Sequence, residues 1–104
     1  MNPPTFKLVV IRSTDIEMAA RFYRCLGIEF QEKQHGTGPR HFAADLGGMV
    51  FEIYPTKKPE DVDRTTRLGF TVYDLHSTIT SIRGLGSTIV NEPNESEWGL
   101  RAVV

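Results

Sequence analysis

DIEMAARFYRCLG (residues 15–27) and DLHSTITSIRGLG (residues 74–86) decide the fold. Each begins with Asp and then Ile or Leu, ends in Leu-Gly, and holds nine residues between. The offset between them is 59 residues, and the pattern continues at that offset. Ile16, Ala20, Tyr23 and Leu26 map onto Leu75, Ile79, Ile82 and Leu85, all on one helical face. Upstream, Val9 and Ile11 map onto Leu68 and Phe70, alternate positions of two β-forming runs, KLVVIR and RLGFTV. One supersecondary unit is therefore used twice.

The first helix carries local signals. Thr14 and Glu17 have capping-box spacing, Glu17 and Arg21 are an i, i+4 pair, and Gly27 suits a helix C-terminus. HSTITSI in the second copy alternates like a strand and is read as helix because of the repeat. IEFQEK (28–33), RHFAADL (40–46) and MVFEIYP (49–55) are strands, the last two joined by Gly47-Gly48. In the second copy, STIVN (87–91) and GLRAVV (99–104) are strands, and EPNESE (92–97) is an acidic loop.

The bulk numbers set limits. A chain of 104 residues suits one domain with a modest core. Twelve Lys and Arg against thirteen Asp and Glu give no field favouring nucleic acid or an anionic membrane. No apolar run approaches the ~20 residues of a membrane span. The lone Cys25 cannot close an internal disulfide, so a cytoplasmic location is expected.

Alternation assigns faces. Pairing Leu46 with Met49 puts His41, Ala43, Asp45, Val50, Glu52 and Tyr54 on one face, and Phe42, Ala44, Leu46, Phe51 and Ile53 on the other. The apolar set is expected to face the helices and the polar set to line a cleft. Leu8, Val10 and Arg12 join the cleft side, with Arg67, Gly69 and Thr71 in the second copy. Leu68, Phe70 and Val72 are expected to face the second helix.

The runs RSTDIEMAARFYRCLGIEF (12–30), GMVFEIYP (48–55), LGFTVYDL (68–75) and EWGLRAVV (97–104) resemble the vicinal oxygen chelate superfamily of glyoxalase I, bleomycin-resistance proteins and extradiol dioxygenases. The Phe-Tyr-x-x-Leu-Gly run at Phe22 to Gly27 is the most specific piece. The resemblance implies an α+β fold of tandem βαβββ modules around a cupped cleft, here a single domain over 1–104. Module 1 spans about 5–55, a linker 56–66, and module 2 about 67–104, without its last strand. A truncated coding region, a shortened natural variant and a strand from a partner chain are three accounts of that gap. The resemblance also implies a homodimer.

Metal enzymes of that family take ligands from the first and fourth strands of each module. The corresponding positions here are Leu8, Glu52 and Arg67, with the fourth near position 111, past Val104. Only Glu52 has a ligand-type side chain, and a metal normally needs three. Arg67 is expected to pair with Glu52 in place of the metal's charge. Arg12 and Arg67 could instead clamp an anion. His41 and Asp45 with Glu52 would make an atypical metal site. Glu52 is the acid–base candidate if there is catalysis, and Tyr54 is a cleft wall. His35 and His76 read as exposed, and Cys25 and Trp98 as packing residues.

The favoured reading is a metal-free protein that binds a small molecule in a cleft, without a cofactor. The alternatives are a glyoxalase-type lyase, isomerase or dioxygenase using Zn, Ni, Mn or Fe, and a non-catalytic interaction module.

Overall fold

The computed structural model describes residues 2–104. Strand β1 (Leu8–Ser13) leads into helix α1 (Ile16–Arg24), followed by β2 (Gln31–Lys33), β3 (His41–Leu46) and β4 (Met49–Pro55). A 3-10 turn (Pro59–Asp61) precedes α2 (Leu75–Gly84) and the hairpin β5 (Asn91–Ser96) and β6 (Gly99–Val103). The first four strands form one sheet in the order β1-β4-β3-β2, and β5 and β6 form a second. This is the expected α+β architecture, and HSTITSI lies in α2.

The two helices are built alike. Asp15 caps α1 by accepting the Met18 N–H at 3.1 Å, and Asp74 caps α2 by accepting the Ser77 N–H at 3.1 Å. The cap is thus Asp15, one residue past the Thr14 of the sequence reading. Gly27 (φ 98°) and Gly86 (φ 83°) occupy the left-handed region just after each helix. Glu17 meets Arg40 rather than Arg21, and Arg40 also holds Glu32, so this cation ties α1 to β2.

Strand β1 runs parallel to β4, and β3 antiparallel to it, with Ala43 opposite Glu52 and Leu46 opposite Met49. The β3–β4 turn uses Gly47 (φ 65°) and Gly48 (φ 93°), the two positive angles that suit a tight hairpin. Phe51 and Ile53 of β4 are fully buried among Ile16, Ala20 and Phe42. Tyr23 closes that core, with its ring 4.9 Å from Phe51, and burial pushes its phenol pKa up.

The second half departs from expectation in two places. Arg67–Val72 is not a paired strand, and among the described residues its backbone makes no main-chain hydrogen bond. Its counterpart β1 is held by β4 alone, and among the described residues no strand stands in that place beside Arg67–Val72. Phe70 of this segment packs 6.1 Å from Tyr23 and 6.0 Å from Phe51, against the first module's core. The first strand of the last hairpin is Asn91–Ser96 rather than 87–91, so most of the expected acidic loop is strand. The two-residue turn at Glu97-Trp98 sets Ser96 opposite Gly99 and Asn94 opposite Arg101, and an irregularity between Asn91 and Asn94 then brings Asn91 opposite Val103. Trp98 sits at that turn 78% exposed, not packed.

The two caps predict matching losses. Asp74→Ala and Asp15→Ala are each expected to cost about 1 kcal/mol, measured by urea unfolding, and an unchanged midpoint refutes the capping role. Asp63 supplies a pH signature. The Thr66 hydroxyl and the Thr65 and Thr66 N–H groups hold its carboxyl down at about 2. Its contribution is present above the ordinary aspartate value and is lost as pH falls toward 2. Carboxyl-detected NMR titration checks this, and a midpoint near 4 overturns it.

Candidate functional site

The register of the four-stranded sheet writes its polar face in rows. Arg12 lies beside Tyr54, and Lys33 lies beside His41. Tyr54 and His41 stack, with centroids 4.1 Å apart and planes 11° from parallel. One row therefore reads Arg12, Tyr54, His41, Lys33 across β1, β4, β3 and β2. The next row holds Val10, Glu52, Ala43 and Gln31, and the third Leu8, Val50 and Asp45.

His41 is 1% exposed, although the sequence reading places it on an open cleft wall. Tyr54 covers one face of its ring, and the exposed His35 lies 5.3 Å away. Its Nδ1 is 3.2 Å from the Pro39 carbonyl oxygen, which can only accept, so Nδ1 carries a proton. Its Nε2 is buried, has no hydrogen-bond partner, and faces Glu52 Oε2 at 3.5 Å. Glu52 keeps 18% of its side chain exposed, so the pair meets solvent through the carboxylate.

Glu52 is thus engaged by His41 and not by Arg67, with which no ion pair forms among the described residues. Arg67 instead lines a cavity of about 340 Å³ with Asn91, Asn94, Ser96 and Arg101. Thr71 is exposed in the same unpaired segment. Asp45 is exposed at the hairpin end and accepts the Gly48 N–H at 2.9 Å, away from Glu52's row. Arg12 is exposed, with its guanidinium 5.9 Å from the Tyr54 ring centre. Cys25 is half-buried and its thiol donates to the Arg21 carbonyl at 3.4 Å. A second cavity, of about 750 Å³, runs along the Gly27–Lys33 segment to Ala43, Asp45 and Val50. Neither cavity includes Arg12, Glu52 or Tyr54, which lie on the open face of the sheet.

Lys33 and the Pro39 carbonyl are site features that the sequence reading missed. Lys33 was legible in principle, since β2 alternates, but its register depends on the loop before β3.

The residues present do not fit a metal of the glyoxalase type. Leu8 has no lone pair, Arg67 is cationic and stands elsewhere, and Asp45 is committed to the turn. Among the described residues no three His, Cys, Asp or Glu side chains converge on one point.

The model of the glyoxalase/bleomycin resistance protein/dioxygenase superfamily matches residues 5–104. An uncharacterized protein of Mycolicibacterium smegmatis is 25% identical over 104 residues, all of this chain and 86% of its own length. Among solved structures, the hypothetical protein SA1046 of S. aureus superposes with a TM-score of 0.70 at 15% identity, over 95% of this chain and 84% of that one. A glyoxalase/bleomycin resistance protein/dioxygenase family enzyme of Burkholderia phytofirmans PsJN gives 0.60 at 19% identity, over 92% and 85%. These likenesses agree with the doubled βαβββ reading, and the chain belongs to the glyoxalase/bleomycin resistance protein/dioxygenase superfamily.

Proposed function

We propose that this protein is a metal-free member of its superfamily that holds a small molecule against the Arg12–Lys33 face. One observation carries the reading. Glu52, alone among the three family ligand positions in having a ligand-type side chain, faces a buried imidazole at 3.5 Å. One carboxylate beside one imidazole falls short of the three protein ligands that a bound metal normally takes.

The same face has an incomplete wall. Leu8 is 54% and Val10 38% exposed, side by side on β1, and apolar groups so placed gain from being covered. A second copy of the chain is the cover we favour, making the protein a homodimer with the cleft between protomers, located in the cytoplasm. Among the described residues no helix is long and apolar enough to cross a membrane.

Metal content after purification tests the reading, repeated after incubation with Zn²⁺, Ni²⁺, Mn²⁺ or Fe²⁺ and dialysis. The expected result is well below one metal per chain for each ion. Near-stoichiometric metal that Glu52→Gln removes would replace this reading with metal-dependent lyase, isomerase or dioxygenase chemistry. Sedimentation analysis is expected to give twice the chain mass, and a monomer at high concentration argues against the shared cleft.

A further inference from the structure

The last hairpin is acidic in sequence, yet it presents no acid to the cavity beside it. Glu92, Glu95 and Glu97 belong to β5 and its turn, and none of them lines the cavity of about 340 Å³ that Arg67, Asn91, Asn94, Ser96 and Arg101 enclose. The register explains this sorting. Arg101 stands opposite Asn94, and Val103 opposite Asn91. Period two puts Arg101 and Val103 on one side of β6. Regular alternation would turn Asn91 and Asn94 to opposite sides of β5, because an odd number of steps separates them. One extra residue on β5 between these two ladder positions brings both amides to the side of Arg101. Pro93 lies within that irregularity, where its missing N–H costs the ladder nothing. Glu95, opposite Leu100, takes the other side, and Glu92 is drawn off by Arg83 of α2 at 2.6 Å.

Arg67 enters the same cavity from the unpaired Arg67–Val72 segment. Neither Arg67 nor Arg101 makes an ion pair among the described residues. A guanidinium holds its charge throughout the working pH range, so the cavity is cationic without any titration. The Trp98 ring steadies Arg101, with the guanidinium carbon 5.9 Å from the ring centre. The Ser96 hydroxyl is used within the hairpin, donating to the Gly99 carbonyl at 2.8 Å and accepting the Trp98 N–H at 3.2 Å. The donors that a ligand would meet are therefore two guanidinium groups and two amides.

We propose that this cavity is a binding site for a phosphoryl group, held between Arg67 and Arg101, with the amides of Asn91 and Asn94 as further donors. Two arginine forks on one cavity match a dianion with several oxygens, whereas a single carboxylate would leave one cation unmatched. The irregularity in β5 then has a purpose, since without it one of the two amides would face away. The site lies apart from the Arg12–Lys33 face and stands or falls independently of the reading of that face.

Phenyl phosphate, inorganic phosphate and benzoate, titrated into the full chain at constant ionic strength and followed by amide NMR, test it at pH about 7.5, where a phosphomonoester is largely a dianion. Both phosphates are expected to shift the amides of Asn91, Asn94 and Arg101 saturably, and benzoate to bind about tenfold more weakly than phenyl phosphate. Tighter binding of phenyl phosphate than of inorganic phosphate assigns the site to an organic monoester, and equal binding assigns it to the free ion; either upholds the phosphoryl site. Arg67→Ala and Arg101→Ala are each expected to lose about tenfold in phenyl phosphate affinity. Arg64→Ala makes the same change of net charge outside the cavity and is expected to leave the affinity unchanged. All three arginines are exposed, so the variants retain the fold. The proposal is overturned by no saturable response, by shifts centred away from the hairpin, by benzoate binding as tightly as phenyl phosphate, or by a loss in Arg64→Ala equal to that in Arg67→Ala.

Discussion

Strand β4 is the member on which the rest of this structure depends. It is the only strand in the four-stranded sheet that pairs parallel on one side and antiparallel on the other. Its odd residues, Phe51 and Ile53, are fully buried and anchor both α1 and the aromatic cluster of Tyr23, Phe30 and Phe70. Its even residues, Glu52 and Tyr54, carry the polar face. Period two lets seven residues serve the core and the site together, so a shift of one residue would exchange the two.

Most of this was legible because the deciding patterns are local or repeated. Both helices follow from the repeated Asp-to-Leu-Gly frame, although the cap of α1 is Asp15 and not the Thr14 that the capping-box spacing suggested. The β3–β4 register follows from Gly47-Gly48, because a two-residue turn admits few alternatives. Where the reading failed, the determinant was distant in sequence. Nothing near RLGFTV says whether a neighbouring strand is present to pair with it. The register of β5 depends on the Glu97-Trp98 turn and on the irregularity between Asn91 and Asn94.

The site was half legible for the same reason. Alternation placed Arg12, His41, Glu52 and Tyr54 on one face. It could not say that His41 would be buried, or that the Pro39 carbonyl would meet its Nδ1, since the second depends on how the 34–40 loop folds back. A sequence spacing reports which side a residue takes, and it does not report what covers the residue. The expected Arg67–Glu52 pair failed on that account, because it assumed that the second module's first strand lies alongside the first as a completed sheet would hold it.

The parallel pairing of β1 with β4 has a consequence for how the chain assembles. Leu8 meets Val50, so this ladder closes a loop of about forty residues, whereas Leu46 meets Met49 across two. Loop-closure entropy rises with length, and contacts between distant residues are slow to form. The β3–β4 hairpin thus has the smaller loop-closure cost of the two. On a ribosome, β1 and α1 emerge ahead of β4 and wait, with their apolar sides uncovered, until residue 55 is out. For that interval β1 and α1 present apolar surface with no partner, and the arrival of β4 covers it.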